Sequence, residues 1–399
     1  MAAERAVDVI VVGGGAMGSA AAWRLARSGH RVRLLEQFAF GHEKGSSHGP
    51  SRMIRIAYPA PEYVELGQEA FRLWDELQLE AESGESLLLR THGMNVGVPH
   101  ADAMEEVART LDTLGVRYER LDHDELRRRY PQYTFPEGSI GLYQEDYGIL
   151  AAGRCVAALA ARARAEGAQL HDEEPVVEIV PDGDGVTVRT TRGTHRADRV
   201  ILTAGSWLGP LLAPLGIDLP LTVLQEQLAF FRVHDPAAHT PDRLPLLMHR
   251  FPGTTSLGSV FPIYGHEGVK VMLDRIGPGV VDPGNPNRSI DPARLGRLRV
   301  YATELMPGIT GEILETTSCR YTMTPDEDFI IDRHPEHRQI VIASPCSSHG
   351  FKFAPVIGQM LADLAVDGTT PYPTARFSLD RPALGESWSP TKAAVVGRE

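Results

Sequence analysis

Residues 7–36 constrain this chain more than any other stretch. A β-branched run from Val7 to Val12 leads into Gly13-Gly14-Gly15-Ala16-Met17-Gly18, which fits G-x-G-x-x-G, and Ser19 to Ser28 has helical composition before Gly29 stops it. Strand, tight turn and helix in that order aim backbone N–H groups at one point, where a pyrophosphate is held, and a side chain at Gly13 or Gly15 would block its approach. Val32 to Leu35 forms a second strand that ends at Glu36. A carboxylate about twenty residues beyond the turn accepts hydrogen bonds from ribose hydroxyls and disfavours a 2′-phosphate. The unit predicts a bound dinucleotide without separating flavin from nicotinamide; its alternative is a glycine turn that only packs a helix on a sheet.

At 399 residues with 42% hydrophobic side chains, the chain exceeds ordinary single-domain size and predicts two domains. A net charge of −12 opposes nucleic-acid and anionic-membrane partners. Residues 6–24 carry Asp8 and three consecutive glycines, unlike the apolar core of a signal sequence. Three cysteines, Cys155, Cys319 and Cys346, form no disulfide framework and fit a reducing compartment. The expectation is a cytoplasmic protein, monomeric or a small homo-oligomer, whose partners are small molecules.

Beyond the turn, residues 62–80, 104–115 and 151–166 read as helices, the last stopped by Gly167. Short strands follow at Gln169 to His171, Val176 to Ile179, Val186 to Thr190 and Val200 to Ala204, separated by Asp/Gly turns. The last runs into Ala204-Gly205-Ser206-Trp207, small residues that suit either close approach to a ligand or a helix cap. Thr222 to Val233 and Gly268 to Leu273 alternate as strands of a second sheet; Phe329 to Asp332 and Gln339 to Ala343 read as buried strands returning to the first domain, closed by a helix over Ala354 to Val366. The expected architecture is α/β: a Rossmann-like nucleotide domain in three pieces (1–83, 150–221, 320–399) and an α+β substrate domain on an antiparallel-rich sheet (84–149, 222–319).

Four segments together resemble the monomeric sarcosine oxidase and N-methyltryptophan oxidase family, which includes pipecolate oxidases: the glycine unit; Gly45-Ser46-Ser47-His48-Gly49-Pro50-Ser51-Arg52-Met53-Ile54-Arg55; Ser318-Cys319-Arg320-Tyr321-Thr322-Met323-Thr324-Pro325-Asp326-Glu327-Asp328-Phe329-Ile330-Ile331-Asp332; and Ser348-His349-Gly350-Phe351-Lys352-Phe353. The resemblance implies FAD as cofactor, bound covalently through the sulfur of Cys319. A cysteine read on its own is more often a buried core thiol. Arg55 and Lys352 match positions that grip a substrate carboxylate; read alone, either is an ordinary surface salt-bridge residue. Arg52, one helical turn before Arg55 if the segment is helical, matches a residue lying against the flavin. Lys270 matches the lysine that activates oxygen, although alternation alone also allows it to face solvent. His48, Tyr321 and His349 complete the expected catalytic set. The expected cofactor wall comprises Gly13, Gly15, Ala16, Met17, Gly18, Glu36, Gln37, Ser46, Ser51, Arg52, Val177, Ala204, Gly205, Trp207, Cys319, Gly350 and Lys352. The implied reaction is oxidation of a secondary or N-methylated amino acid, with dioxygen reduced to hydrogen peroxide.

The sequence departs from that pattern where substrate would sit. Asp274 stands in place of a histidine four residues after Lys270, Ser259 in place of an aromatic residue, and Pro345-Cys346-Ser347-Ser348 in place of a glycine-rich segment. An acid at Asp274 either orients a cationic amine or faces water. A cyclic or D-amino acid is therefore a second candidate substrate, and a nonenzymatic flavoprotein a further alternative. Gly45-Ser46-Ser47-His48-Gly49 also fits the serine-hydrolase elbow G-x-S-x-G, but loop-like residues precede it where a strand is required. His334-Pro335-Glu336-His337 reads as a surface turn, since Pro335 breaks the helix that paired metal ligands need. A nicotinamide-dependent dehydrogenase leaves the Cys319 and Lys352 segments without a role.

Overall fold

The computed structural model describes residues 7–81, 86–97, 102–251, 257–275, 279–285 and 288–387. The expected domain boundary at 83/84 and the outermost ends of both termini lie outside them.

The first sheet is built around Val7–Val12, whose side chains are nearly all buried on both faces, as a central parallel strand requires. Thr194–Leu202 and Val32–Leu35 pair with it in parallel; Gln169–His171 extends one side and Ile340–Ser344 the other, and Ile330–Arg333 closes that edge antiparallel. A hairpin of Val176–Asp182 and Gly185–Thr190 adds two antiparallel strands. Helix Ala16–Arg27 lies between helices Ala152–Ala165 and Ala354–Val366. Its Ala-rich surface permits close approach: a Cβ on Gly358 would sit 2.6 Å from both the carbonyl carbon and the Cβ of Ala20.

The second sheet has nine strands. Its order is Ile309–Met323, Thr222–Val233, Val269–Leu273, Leu257–Phe261, Leu246–Arg250, Leu88–Gly97, Ile140–Leu150 and Arg52–Arg55, with Glu119–Leu121 also on Ile140–Leu150. All its pairings are antiparallel except that of Leu246–Arg250 with Leu88–Gly97. Period-two alternation divides its faces. Ala229, Phe231, Val260, Val269, Val271 and Leu273 pack beneath helix Pro292–Leu305 through Leu298, Tyr301 and Leu305. Leu228, Phe230, Met272 and Cys319 lie on the other face, toward the first sheet. The fold is thus the mixed α/β arrangement expected from the sequence.

One local expectation is corrected and one refined. Residues 52–55 form a strand rather than a helical turn, paired with Ile140–Leu150 in the second sheet, so Arg52 and Arg55, three apart, point to opposite faces. The β-branched and long residues of Arg52-Met53-Ile54-Arg55 gain more from that ladder than from one turn of helix. The His334–His337 turn is at the surface as expected, with Pro335 and Glu336 exposed, but His334 itself is buried. His334 is 2% exposed; its Nε2 donates to the Leu215 carbonyl at 2.9 Å, and its Nδ1 accepts from the backbone N–H groups of Glu336 and His337. Among the described residues no cluster suits a metal ion, and no helix is long and apolar enough to cross a membrane.

Gly358→Ala should destabilise the protein by about 1–3 kcal/mol, the usual cost of overpacking. Gly296→Ala, in helix Pro292–Leu305 with nothing within 4 Å of the added carbon, should instead stabilise by about 0.5–1 kcal/mol through helix propensity. Denaturant midpoints of the two variants against the parent check both signs.

Candidate active site

One cavity of about 670 Å³ runs between the two sheets. At one end the glycine turn does what its composition requires. Gly13 has φ +105°, and a Cβ there would lie 2.5 Å from the Thr203 carbonyl oxygen, so only glycine lets the turn pass the end of the neighbouring strand. Helix Ala16–Arg27 has no side-chain cap from Gly15 and no acid in its first turn, which leaves its positive end directed at the cavity. Ser47 Oγ accepts from Ala16 N at 3.1 Å. The Glu36 carboxylate accepts from Gly14 N at 2.7 Å and Phe38 N at 2.9 Å and faces the same space. Gln37, Ala204, Gly205 and Trp207 continue this wall.

Three members of the expected wall sit elsewhere. Gly18 is a packing residue: a Cβ there would come within 1.9 Å of Gly13 O, inside the turn. Val177 is 61% exposed; it is Val176, one position earlier in the alternating strand, that lines the cavity. Ser51 is buried behind the wall, where its carbonyl and hydroxyl oxygens accept from Lys270 Nζ at 3.0 and 2.9 Å. The other expected residues, from Gly13 to Lys352, line the cavity.

At the opposite end the wall is cationic. Arg52 donates to the carbonyls of Ser51 and Ser46 at 2.9 and 3.0 Å. Arg55, 4% exposed, donates to the Ala57 carbonyl and lies 3.9 Å over the Tyr58 ring. Lys352 Nζ donates to the His349 carbonyl and, at 2.9 Å, to Tyr58 Oη. The Tyr58 hydroxyl donates in turn to His349 Nδ1 at 3.4 Å, while His349 Nε2 donates to the Glu327 carbonyl at 3.2 Å. That pattern fixes one neutral tautomer of His349. Burial, with the charge of Lys352 beside it, holds its pKa well below the ordinary histidine value. Burial and the Arg55 charge likewise push Lys352 well below the usual lysine value. Neither Arg55 nor Lys352 has a carboxylate partner among the described residues, so the salt-bridge alternative does not describe them.

Lys270 is 5% exposed, not solvent-facing, and sits 3.8 Å over the Phe261 ring; burial and then the charge of Arg52 push its pKa well down. His48 also lines the cavity, and burial with the neighbouring Arg52 and Arg288 guanidinium groups lowers it to about 3. Cys319 is buried against Leu228, Phe230 and Met272, and burial raises its thiol to about 11. Arg320, its neighbour in sequence, is turned away to the Pro283 and Asn285 carbonyls. Cys346 lines the cavity and its Sγ accepts from Thr322 N at 3.3 Å, whereas Cys155 is a core thiol. Tyr321 donates to Met272 Sδ at 3.3 Å. Asp274 does not face water: it is 6% exposed, accepts from Leu257 N at 2.7 Å and pairs with Arg275. Ser259 lines the cavity one rung away, opposite Met272. The Gly45–Gly49 segment is a turn leading into strand Arg52–Arg55, without the strand–helix flanks of a hydrolase elbow.

Sequence reasoning passed over Ser47, Met248 and Phe261, which line the cavity, and Glu226, buried in the same sheet face beneath it. The period-two pattern of Thr222 to Val233 marks Glu226 as sharing a face with Leu228, but no spacing rule says which face meets a ligand.

A glycine turn and the Glu36 carboxylate on one sheet, facing the same cavity as a cationic pocket on a second, suit a dinucleotide-dependent oxidoreductase. The chain belongs to the FAD dependent oxidoreductase family, which it matches over residues 8–364. It is 35% identical to the monomeric sarcosine oxidase of Bacillus sp. (strain B-0618), across 96% of this chain and 98% of that one. It is 33% identical to N-methyl-L-tryptophan oxidase of Salmonella typhimurium, across 93% and 99%. Among solved structures it resembles NikD, an amino acid oxidase of nikkomycin biosynthesis, at a TM-score of 0.81 and 30% identity, with 94% of this chain and 98% of that one covered. The helix N-terminus with no acid in its first turn, the side-chain-free approach at Gly15 and the volume of the cavity fit FAD.

The unfolded chain binds a proton at Lys270 up to its ordinary pKa of 10.5, whereas the folded chain releases it well below. Across that window unfolding takes up a proton, so this residue's contribution to stability rises with pH. Lys270→Met removes the dependence. In flavin-free protein the stability of the parent relative to the variant should therefore increase from pH 7 to pH 10, read by urea denaturation; a constant difference would mean that Lys270 keeps its proton when folded.

Proposed function

We propose that this protein oxidises a secondary or N-methylated amino acid to an imine and delivers the electrons to dioxygen, releasing hydrogen peroxide. The observation that carries this reading is Arg55 and Lys352 together at the buried cationic end of the cavity, each lacking a carboxylate partner among the described residues. A guanidinium presents a planar fork to a carboxylate and an ammonium adds a point charge. Together they select amino acids over plain amines. Bound FAD supplies the hydride acceptor, and the chain supplies position and charge. Arg55 and Lys352 fix the carboxylate end of the substrate, which limits the amine and its C–H bond to a small arc. Neutral His349 steadies Lys352 through Tyr58. Lys270, held by Ser51, favours negative charge arising next to it on oxygen.

Within this reading Gly13, Gly15, Ala16, Met17, Glu36, Gln37, Ser46, Ala204, Gly205, Trp207 and Gly350 hold the cofactor, Arg52 lies beside its ring, and Cys319 bonds to it. His48 and Tyr321 complete the catalytic set. We place the FAD-binding segments at 1–83, 150–221 and 320–399 and the substrate segments at 84–149 and 222–319, with the strand at 52–55 reaching into the second sheet. Three free cysteines support a cytoplasmic location. Ser259, where the resembled family carries an aromatic residue, widens the substrate end, and this favours a cyclic secondary amino acid as the second reading.

Peroxide release should be detected with one or more of sarcosine, other N-methyl amino acids, pipecolate, proline and D-amino acids, and silence across the panel would overturn the reading. With the best substrate, Arg55→Met or Lys352→Met should lower kcat/KM by about 10- to 150-fold, the loss of one charge-assisted hydrogen bond of about 1.5–3 kcal/mol. Acid precipitation should leave the yellow colour with the parent protein and release it to the supernatant for Cys319→Ala. Colour released from the parent would remove the covalent link.

A further inference from the structure

Glu226 is a fully buried acid for which the reaction above has no use. Strand Thr222–Val233 runs antiparallel to Ile309–Met323 and sets Glu226 directly opposite Cys319, as Leu228 is set opposite Thr317. Leu228 and Cys319 share one apolar cluster with Phe230 and Met272, so alternation puts the Glu226 side chain on the same face as the sulfur. Directly opposed residues of an antiparallel pair have Cβ atoms about 4.5–5.5 Å apart. No hydrogen bond joins the two directly, so a proton passes from the thiol to the carboxylate through an intervening water.

The groups around the pair set their proton affinities. Arg294, from helix Pro292–Leu305, makes an ion pair with Glu226 Oε2, and the backbone N–H of Arg275 donates to Oε1 at 3.2 Å. Asp274 opposes the charge from the adjacent strand end. Burial outweighs Arg294 and raises Glu226 to about 7. On the thiol side stand Arg52, Lys270 and Cys346; burial dominates there also and keeps Cys319 protonated at neutral pH. A thiol becomes a nucleophile only as its thiolate, and a carboxylate that gains a proton near neutrality lies across the ladder from it.

We propose that Glu226 accepts the Cys319 thiol proton when this protein attaches its own flavin; this rests on the reading of Cys319 as the covalent anchor. In the net reaction the S–H bond of Cys319 and one C–H bond of the flavin 8α-methyl group break and one S–C bond forms. The thiol proton passes to Glu226 and the methyl hydrogen leaves as a proton. The two remaining electrons go to the ring system and then to dioxygen, which with two protons leaves as hydrogen peroxide. Arg294 has the complementary task of keeping the resting carboxyl ionised.

Flavin-free protein, incubated aerobically with FAD and sampled for acid-precipitable flavin, gives the attachment rate. For the parent the rate should rise with pH through about 7 and then level, because the acceptor must be ionised. Glu226→Gln should bind FAD noncovalently as the parent does, attach it about 100-fold more slowly, as loss of a general base does, and lose the rise with pH. Arg294→Met, which leaves the carboxyl in place but removes its cation, should move the midpoint of that rise upward. Parent-like attachment by Glu226→Gln, or an unmoved midpoint in Arg294→Met, overturns the proposal. Loss of the rise in Lys270→Met instead assigns the proton to Lys270 and overturns it equally. If the parent holds no acid-stable flavin at any pH, the Cys319 reading fails first and this inference goes with it; parent attachment with a normal Glu226→Gln rate sinks the inference alone.

Discussion

Burying positive charge without a protein carboxylate to meet it is the constraint around which this molecule is arranged. Removing an ammonium or guanidinium group from water costs several kcal/mol even after the surroundings relax. Here Arg55, Lys270 and Lys352 are all at most 5% exposed along one cavity. Their hydrogen bonds go to carbonyls and hydroxyls: Ala57 for Arg55, Ser51 for Lys270, Tyr58 and His349 for Lys352. These acceptors hold the side chains in place but do not neutralise them, and the two lysines respond by losing affinity for protons. A rigid wall of this kind favours whatever anion enters, whether a substrate carboxylate or charge that appears only as electrons move. The acids nearby are already committed: Asp274 and Glu327 to Arg275, and Glu226 to Arg294.

The two sheets make that arrangement affordable by separating tasks. The parallel sheet presents a helix N-terminus with no acid in its first turn and a backbone that only glycine can follow, a surface suited to phosphate. The antiparallel sheet presents alternating side chains, so that one face supplies a core beneath helix Pro292–Leu305 while the other supplies Lys270, Met272 and Cys319 to the cavity. Arg52–Arg55 ties them together: it follows the Gly45–Gly49 turn, which lines the cavity beside the glycine turn, but pairs in the second sheet. Because it is a strand, Arg52 and Arg55 point to opposite faces and can serve opposite sides of one ligand.

How far the sequence spoke depended on whether local chemistry or distant packing decided the outcome. The glycine turn, strand Thr222–Val233 and helix Ala354–Val366 were legible because each carries its own periodicity and stops. The strands Leu88–Gly97, Ile140–Leu150 and Leu246–Arg250 were not read, since His92, Gly93 and Gln144 interrupt their patterns and partners far along the chain pair with them. Gly93 shows why such residues are needed there: a Cβ would fall 2.2 Å from the Tyr147 ring. In the site, residue identities came through the resemblance and their environment did not. Alternation left Lys270 free to face solvent; only helix Pro292–Leu305 packing against the valine face decides that it turns inward. Val177 and Ser51 were misplaced by one step of the same kind, a side chain's direction rather than its position in the chain.

The serine pair before His349 shows what such a direction costs. Ser347 and Ser348 adopt φ of +36° and +72°, a region that costs a residue with a Cβ roughly 1–2 kcal/mol, and they occupy a segment where the resembled family carries glycine. Ser347 recovers part of this through its hydroxyl, 3.0 Å from Thr324 Oγ1, and its N–H, which donates to the Thr322 carbonyl at 2.9 Å. Both contacts fasten the segment to strand Ile309–Met323 and its exit, the strand that carries Cys319 and Tyr321. His349 follows at once, and its carbonyl holds Lys352. Strain tolerated at two serines thus links the sulfur-bearing strand to the buried Lys352 ammonium. A glycine at 347 would relieve the backbone and keep the bond to the Thr322 carbonyl but lose the hydroxyl contact to Thr324, so the strained serine adds one more tie between the segment and that strand.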